Sequence, residues 1–175
     1  ADHFEWAVAY NPEFDAAHNN LGSTLLALGQ VDAAVESFQK ALTVNPDYAG
    51  AHNNLGIALH RLGKVDAAVE SYKKALTVNP DYAEAHNNLG SAFKGLGQLD
   101  DAIKSYKKAL TVNPDYVSAH NNLGIAFKQL GQLDDAVECY EKAVAIQPDY
   151  AEAHNNLGNA FRELGQLDDA VKSYE

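Results

Sequence analysis

The chain has 175 residues and a formal charge of -11 with its seven histidines neutral. Nucleic acid and anionic membrane surfaces both call for basic patches, so this balance argues against either as a partner. No apolar run approaches the roughly 20 residues of a membrane span, and with Cys139 as the lone cysteine no intrachain disulfide can form.

Residues 1–14 read as the second half of a partial unit, because Phe4, Ala7 and Pro12 fall where later copies have Tyr72, Ala75 and Pro80. Four whole units follow at 15–48, 49–82, 83–116 and 117–150, and 151–175 begins another. Each carries His-Asn-Asn-Leu-Gly, at His18, His52, His86, His120 and His154, with a strict 34-residue period. A fixed period of that size marks a stacked array in which each unit packs on its neighbours. In 49–82, Ala51, Leu55, Leu59 and Leu62 make one helical face and Gly63 breaks the helix. A second helix follows, with Val65, Ala68, Val69, Tyr72, Ala75 and Leu76 at helical spacing, and Pro80 ends it. Asp47 is expected to cap the first helix and Asp66 to open the second. Asp81 with Glu84, and Asp149 with Glu152, have the spacing of capping boxes. The fold is therefore all-α, a solenoid of antiparallel helical hairpins forming one array over 1–175. Gly56, inside the first helix, is expected to admit close approach of the second, with Ala68 as its small counterpart and Phe38, Tyr72, Tyr106 and Tyr140 filling the rest.

Asn54-Leu55-Gly56, Gly63, Ala68, Tyr72, Ala75 and Pro80, at these spacings, resemble the tetratricopeptide repeat, which implies a right-handed superhelical solenoid. One departure is constant: His18, His52, His86, His120 and His154 stand where that family usually has an aromatic. Trp6 is not that aromatic; it aligns with Lys40, Lys74, Lys108 and Lys142. Among such arrays, an uninterrupted run with Asn before Leu-Gly looks most like those of O-linked N-acetylglucosamine transferases. That resemblance implies an asparagine ladder along the concave surface that holds extended polypeptide, without a glycosyltransferase domain in this chain.

A helical wheel of 49–62 places Gly50, Asn53, Ile57, His60 and Arg61 opposite the apolar seam, with Asn54 on the flank. Down the copies this face drifts: the Gly50 column reads Ala16, Gly50, Glu84, Ser118, Glu152, and the Ile57 column Ser23, Ile57, Ser91, Ile125, Asn159. Two columns never change: Asn19, Asn53, Asn87, Asn121, Asn155 and Asn20, Asn54, Asn88, Asn122, Asn156. An asparagine offers one acceptor and two donors, which matches a peptide group. Both columns are expected to line a peptide-binding groove, the first squarely and the second shared with bonding between repeats. His60, Lys94, Lys128 and Arg162 form a basic column on the same face, with Lys94, Lys128 and Arg162 as further candidates for the groove and Glu84 and Glu152 as balancing charges. The paired cations of a carboxylate clamp are missing where Asn53, Asn88 and Glu84 stand, which disfavours an acidic chaperone tail as ligand.

The histidines read as packing residues rather than metal ligands. Neighbouring helices lie about 8–10 Å apart, so equivalent histidines are roughly twice that from one another, against about 2 Å for a zinc bond. Tyr48, Tyr82, Tyr116 and Tyr150 read as staples of the inter-unit turn. Cys139 stands where Ser37, Ser71, Ser105 and Ser173 do and reads as a small packing residue. No nucleophile with base and orienter appears, so neither an enzyme nor a cofactor or metal site is expected. The partner is a protein or peptide in extended form. Ala1–Glu5 has no signal-peptide pattern, and the cytoplasm is favoured. Both ends stop in mid-hairpin, which reads as a fragment of a longer array or as ends that stack head to tail on other copies. Such stacking is the alternative function, a self-assembling scaffold with an idle groove.

Overall fold

The computed structural model describes residues 14–175. Apart from Phe14, the partial unit expected at 1–14, Phe4 and Trp6 included, lies outside the described residues. Among the described residues the structure is helical throughout: α1 (Asp15–Ala27), α2 (Val31–Val44), α3 (Ala49–Arg61), α4 (Val65–Val78), α5 (Ala83–Gly95), α6 (Leu99–Val112), α7 (Val117–Gln129), α8 (Leu133–Ile146), α9 (Ala151–Glu163) and α10 (Leu167–Tyr174). The chain divides into two compact units, Ala1–Ala92 and Phe93–Glu175.

In the first unit α1 packs on α2 and α3 on α4 as hairpins, α2 packs on α3, and the two first helices, α1 and α3, touch directly. The second unit repeats the scheme: α7 with α8, α9 with α10, α6 with α7, α8 with α9, and α7 touching α9. A first helix is therefore covered on two sides, by its own hairpin partner and by the next first helix. This double coverage decides the fate of the asparagines below.

The glycine breaks are as the spacing predicts. Gly63 has φ 73°, a left-handed conformation that glycine adopts without a Cβ clash. Lys64 N–H donates to Leu59 O at 3.0 Å and Gly63 N–H to His60 O at 2.9 Å, the paired bonds of a Schellman ending. Gly29, Gly97, Gly131 and Gly165 repeat that φ.

The caps differ from expectation. Tyr48, not Asp47, is the N-cap of α3, at φ -87° and ψ 90°, and no side chain bonds the helix N–H groups there. The reason lies one step upstream: Asn45 Oδ1 accepts the Asp47 N–H at 3.2 Å, an Asx turn that carries the chain one residue further before the helix begins. The same bond recurs from Asp81 to Asn79 and from Asp115 to Asn113. Lys64, not Asp66, is the N-cap of α4, and Asp66 sits in the first turn, where its charge faces the positive end of the helix dipole. Tyr150 caps α9 without a side-chain bond, so Asp149 and Glu152 form no capping box.

The core is a seam of aromatic rings on glycines. A Cβ placed on Gly56 would lie 2.5 Å from Tyr72 Cε1, and one on Gly124 would lie 2.6 Å from Tyr140 Cε1. Phe38 covers Gly22 and Tyr174 covers Gly158 in the same way. It is the ring itself, rather than Ala68, that fills the space each glycine leaves. Phe38, Tyr72 and Tyr140 are essentially fully buried, and burying one such side chain stabilises by about 1.5–3 kcal/mol.

Candidate functional site

His52, Asn53 and Asn54 sit near the start of α3. His52 is held by Nε2, which donates to Pro46 O at 2.8 Å. His120 is tied to Pro114 O at 2.8 Å, and His86 and His154 to Pro80 O and Pro148 O at 2.9 Å. The histidine thus clips the starts of α3, α5, α7 and α9 onto the turns before them. Its ring N–H explains why a phenyl ring would not serve there.

The two asparagine columns separate in the structure. Asn53 is 0% and Asn121 1% exposed, and Asn19 and Asn87 are buried as well. Asn20 and Asn155 are exposed, whereas Asn54, Asn88, Asn122 and Asn156 are half-buried. Asn54 Nδ2 donates to Asn19 Oδ1 at 3.0 Å, Asn88 Nδ2 to Asn53 Oδ1 at 3.0 Å, and Asn156 Nδ2 to Asn121 Oδ1 at 2.9 Å. Each bond joins the second asparagine of one repeat to the first asparagine of the repeat before. The first asparagine completes the link with its own amide. Asn121 Nδ2 donates to Glu152 Oε1 at 3.0 Å, and Glu152 Oε2 accepts from Tyr150 OH at 3.2 Å. Asn53 Nδ2 lies 3.4 Å from both Glu84 Oε1 and Tyr82 OH. A single-helix wheel put Asn53 on an open face. The next first helix closes that face and buries it.

The second asparagine is used differently. At Asn54, Asn88 and Asn156 one amide hydrogen is engaged, which leaves the carbonyl oxygen and the other amide hydrogen. These carbonyls are not sealed away: the buried polar atoms that lack a partner include His52 Nδ1, His120 Nδ1 and the Tyr140 hydroxyl, but no asparagine atom. A donor and an acceptor side by side, repeated from hairpin to hairpin, can pair with the C=O and N–H of an extended backbone.

The basic column is balanced within the molecule. Lys128 Nζ pairs with Glu163 at 2.9 Å. Burial lowers the pKa of Lys94, and the nearby charge of Glu152 works in the opposite direction. His60 is half-buried, and Arg162 is exposed on the same row. Three residues take roles that the sequence reading did not assign them. Arg61 Nη1 donates to Leu26 O at 3.2 Å and ties successive first helices. Glu84 and Glu152, read as balancing charges, also terminate the asparagine links. Their signal was a spacing of 31 residues from a buried asparagine, visible only once both columns are placed in one stack. Cys139 is buried, and burial pushes its thiol up to about 11. No helix among the described residues is long and apolar enough to cross a membrane.

The TPR-repeat family profile matches residues 22–63, 58–97, 92–131 and 126–161, and the tetratricopeptide-repeat profile matches 151–175. The chain belongs to the tetratricopeptide-repeat family. None of the curated proteins matches the sequence. Among solved structures, MamA is 31% identical with a TM-score of 0.80, over 87% of this chain and 90% of that one. A thermophilic TPR protein of Thermus thermophilus is 30% identical with a TM-score of 0.75, over 91% of this chain and 88% of that one. YrrB, a TPR protein with an unusual peptide-binding site, is 21% identical with a TM-score of 0.76, over 97% of this chain and 88% of that one, a likeness of fold. This tetratricopeptide array is a protein-interaction scaffold.

Proposed function

We propose that the array binds extended polypeptide along the first helices of each unit, through the second asparagines of the pair. The observation that carries this reading is the unused carbonyl and amide hydrogen of Asn54, Asn88 and Asn156, each fixed by the bond its other hydrogen makes to the preceding repeat. Binding through backbone groups makes little demand on ligand sequence. Asn20 and Asn122 belong to the same column and extend it. The buried first asparagines, Asn19, Asn53, Asn87 and Asn121, serve by holding the second ones in place, and the exposed Asn155 is the last of that column. Lys94, Lys128 and Arg162 flank the row and contribute charge rather than backbone contacts.

The test is selection of random unstructured peptides from a display library on the wild-type protein, followed by titration of the selected peptides. The triple variant Asn54→Ala, Asn88→Ala, Asn156→Ala is expected to lose binding at least tenfold with its helix content kept. Selected peptides that bind the triple variant as tightly as the wild type would refute the reading. A triple variant that unfolds instead would favour the competing reading, in which the ladder only fastens the repeats. Lys128→Ala and Arg162→Ala then report whether charge beside the row matters.

A further inference from the structure

The second asparagines of the first unit, Asn20, Asn54 and Asn88, stand on successive first helices, α1, α3 and α5. α1 and α3 touch directly. Asn54 Nδ2 donates to Asn19 Oδ1 at 3.0 Å, and Asn88 Nδ2 to Asn53 Oδ1 at the same 3.0 Å. Equal bonds at successive steps make the row regular, with one asparagine per first helix and one interhelical spacing per step. For helices in contact that spacing is about 8–10 Å.

A bound chain therefore has to turn the same backbone face to the row once per spacing. A β-strand does not. Its residues alternate sides, so groups facing one way recur every two residues, about 6.6–6.8 Å, or every four, about twice that. A polyproline II helix does, because three residues make one turn and rise about 9.3 Å. Its backbone forms no internal hydrogen bonds, so its N–H and C=O groups remain for a partner. Asn54 and Asn88 each engage one amide hydrogen within the molecule. The side-chain carbonyl can accept a ligand N–H, and the other amide hydrogen can go to a ligand C=O.

The side chains beside the row suit such a helix. Ile57 lies one turn after Asn54 on the same side of α3 and is half-buried. Tyr48 and Tyr82, just before α3 and α5, are half-buried as well, and Tyr82 OH lies 3.4 Å from Asn53 Nδ2. Polyproline II segments dock on aromatic-lined surface of this kind.

On the basis of the function proposed above, in which the second asparagines take backbone groups, we propose that the first unit binds a polyproline II segment of about seven residues with a residue other than proline at every third position. Three asparagines, two turns apart from first to last, set the length. The third-position rule follows from the N–H. Proline has none and cannot face an asparagine carbonyl, whereas the two residues between contacts need none, and proline there holds the chain in the extended region.

Fluorescence anisotropy of labelled peptides of about 12 residues, titrated with the purified chain, tests the proposal. Ser-Pro-Pro repeats meet both conditions. Polyproline keeps the helix without an N–H, and Ser-Thr repeats keep every N–H without a preference for that helix. Ser-Pro-Pro repeats are expected to bind the wild type at least tenfold more tightly than either, and the variant Asn54→Ala with Asn88→Ala at least tenfold more weakly than the wild type. Ser-Thr repeats that bind the wild type as tightly, and lose binding on the double variant, would overturn the polyproline II assignment and leave the asparagine row as a binding site. Polyproline that binds as tightly would overturn it too, since no N–H is then used. So would Ser-Pro-Pro repeats that fail to bind at about 1 mM. Ser-Pro-Pro repeats that bind the double variant as tightly as the wild type would overturn the asparagine row along with the proposal. The comparison among peptides uses the wild type alone and stands even where the double variant does not fold.

Discussion

Asn88 donates from Nδ2 to Oδ1 of Asn53 at 3.0 Å, across the boundary between two repeats and beneath a surface that leaves Asn53 0% exposed. Removing Asn53 strands the half-buried Asn88 amide hydrogen and leaves the exposed Glu84 to water. Asn53→Ala is therefore expected to destabilise by about 1–3 kcal/mol, the usual penalty for a buried polar group that loses its partner. Asn155→Ala, at the exposed member of the same column, is expected to change stability by less than about 0.5 kcal/mol. Urea denaturation of the two variants checks the contrast. Equal effects would mean that the link between repeats contributes nothing.

Gly56 and Tyr72 make a second test, because two effects oppose each other there. Alanine in place of a mid-helix glycine gains about 1 kcal/mol of helix propensity. Its Cβ, however, would stand 2.5 Å from Tyr72 Cε1, 2.7 Å from Cδ1 and 2.9 Å from Cζ. The ring is 1% exposed and has nowhere to retreat. Overpacking of this kind costs about 1–3 kcal/mol, so Gly56→Ala is expected to be destabilising overall. In the Tyr72→Leu background, where the ring is gone, the same substitution is expected to cost less or to stabilise. A thermal-melt double-mutant cycle measures the coupling, and additive effects would rule out the contact.

These two pairs show what can be read from the chain alone. The 34-residue period, the Gly63 break and the aromatic at Tyr72 each follow from one residue and its near neighbours, so the hairpin was legible. The ring over Gly56 was half legible: the small residue was noticed, but Ala68 was taken as its counterpart because spacing along a helix does not show which side chain reaches across. Asp47 misled because Asn45 takes the local hydrogen bond first. Asn53 misled for a different reason. Its burial is made by a helix about a repeat away, and a wheel drawn for one helix contains no such neighbour. What the sequence did preserve was that both columns were invariant. The stack then distinguished Asn53 and Asn121, fixed within it, from Asn54, Asn88 and Asn156, each of which engages one amide hydrogen.

Tyr140 and Tyr174 occupy equivalent positions with different company. Tyr174 OH donates to Asn159 Oδ1 at 3.0 Å. The residue corresponding to Asn159 beside Tyr140 is Ile125, and the buried Tyr140 hydroxyl has no partner. Tyr140→Phe is thus expected to stabilise by about 1 kcal/mol, because it removes a desolvated hydroxyl and leaves the ring over Gly124. Tyr174→Phe is expected to bring no gain. Thermal melts of both variants decide the matter; a loss of stability in Tyr140→Phe would mean that the hydroxyl is satisfied.

Cys139 gives a prediction in pH. The thiol is 7% exposed, and burial pushes it up to about 11, with the Lys142 charge opposing and Glu138 and Asp135 reinforcing. An unfolded cysteine titrates near about 8.5. Because the folded value is the higher one, the native chain holds the thiol proton over an interval in which the unfolded chain has lost it. Stability from this group is fully present below about pH 8.5 and is lost as pH rises towards about 11. Cys139→Ser removes that dependence. The serines at equivalent positions bond the carbonyl one turn back, Ser71 Oγ to Ala67 O at 2.9 Å and Ser105 Oγ to Asp101 O at 2.8 Å, so the substitution is expected to be nearly neutral at about pH 7. Above about pH 8.5 the wild type is expected to weaken relative to the variant, and in the native state the thiol is expected to resist alkylation until the chain unfolds. Urea midpoints of both proteins across that interval, together with iodoacetamide labelling rates, provide the measurement; parallel pH profiles would show that the thiol titrates alike folded and unfolded.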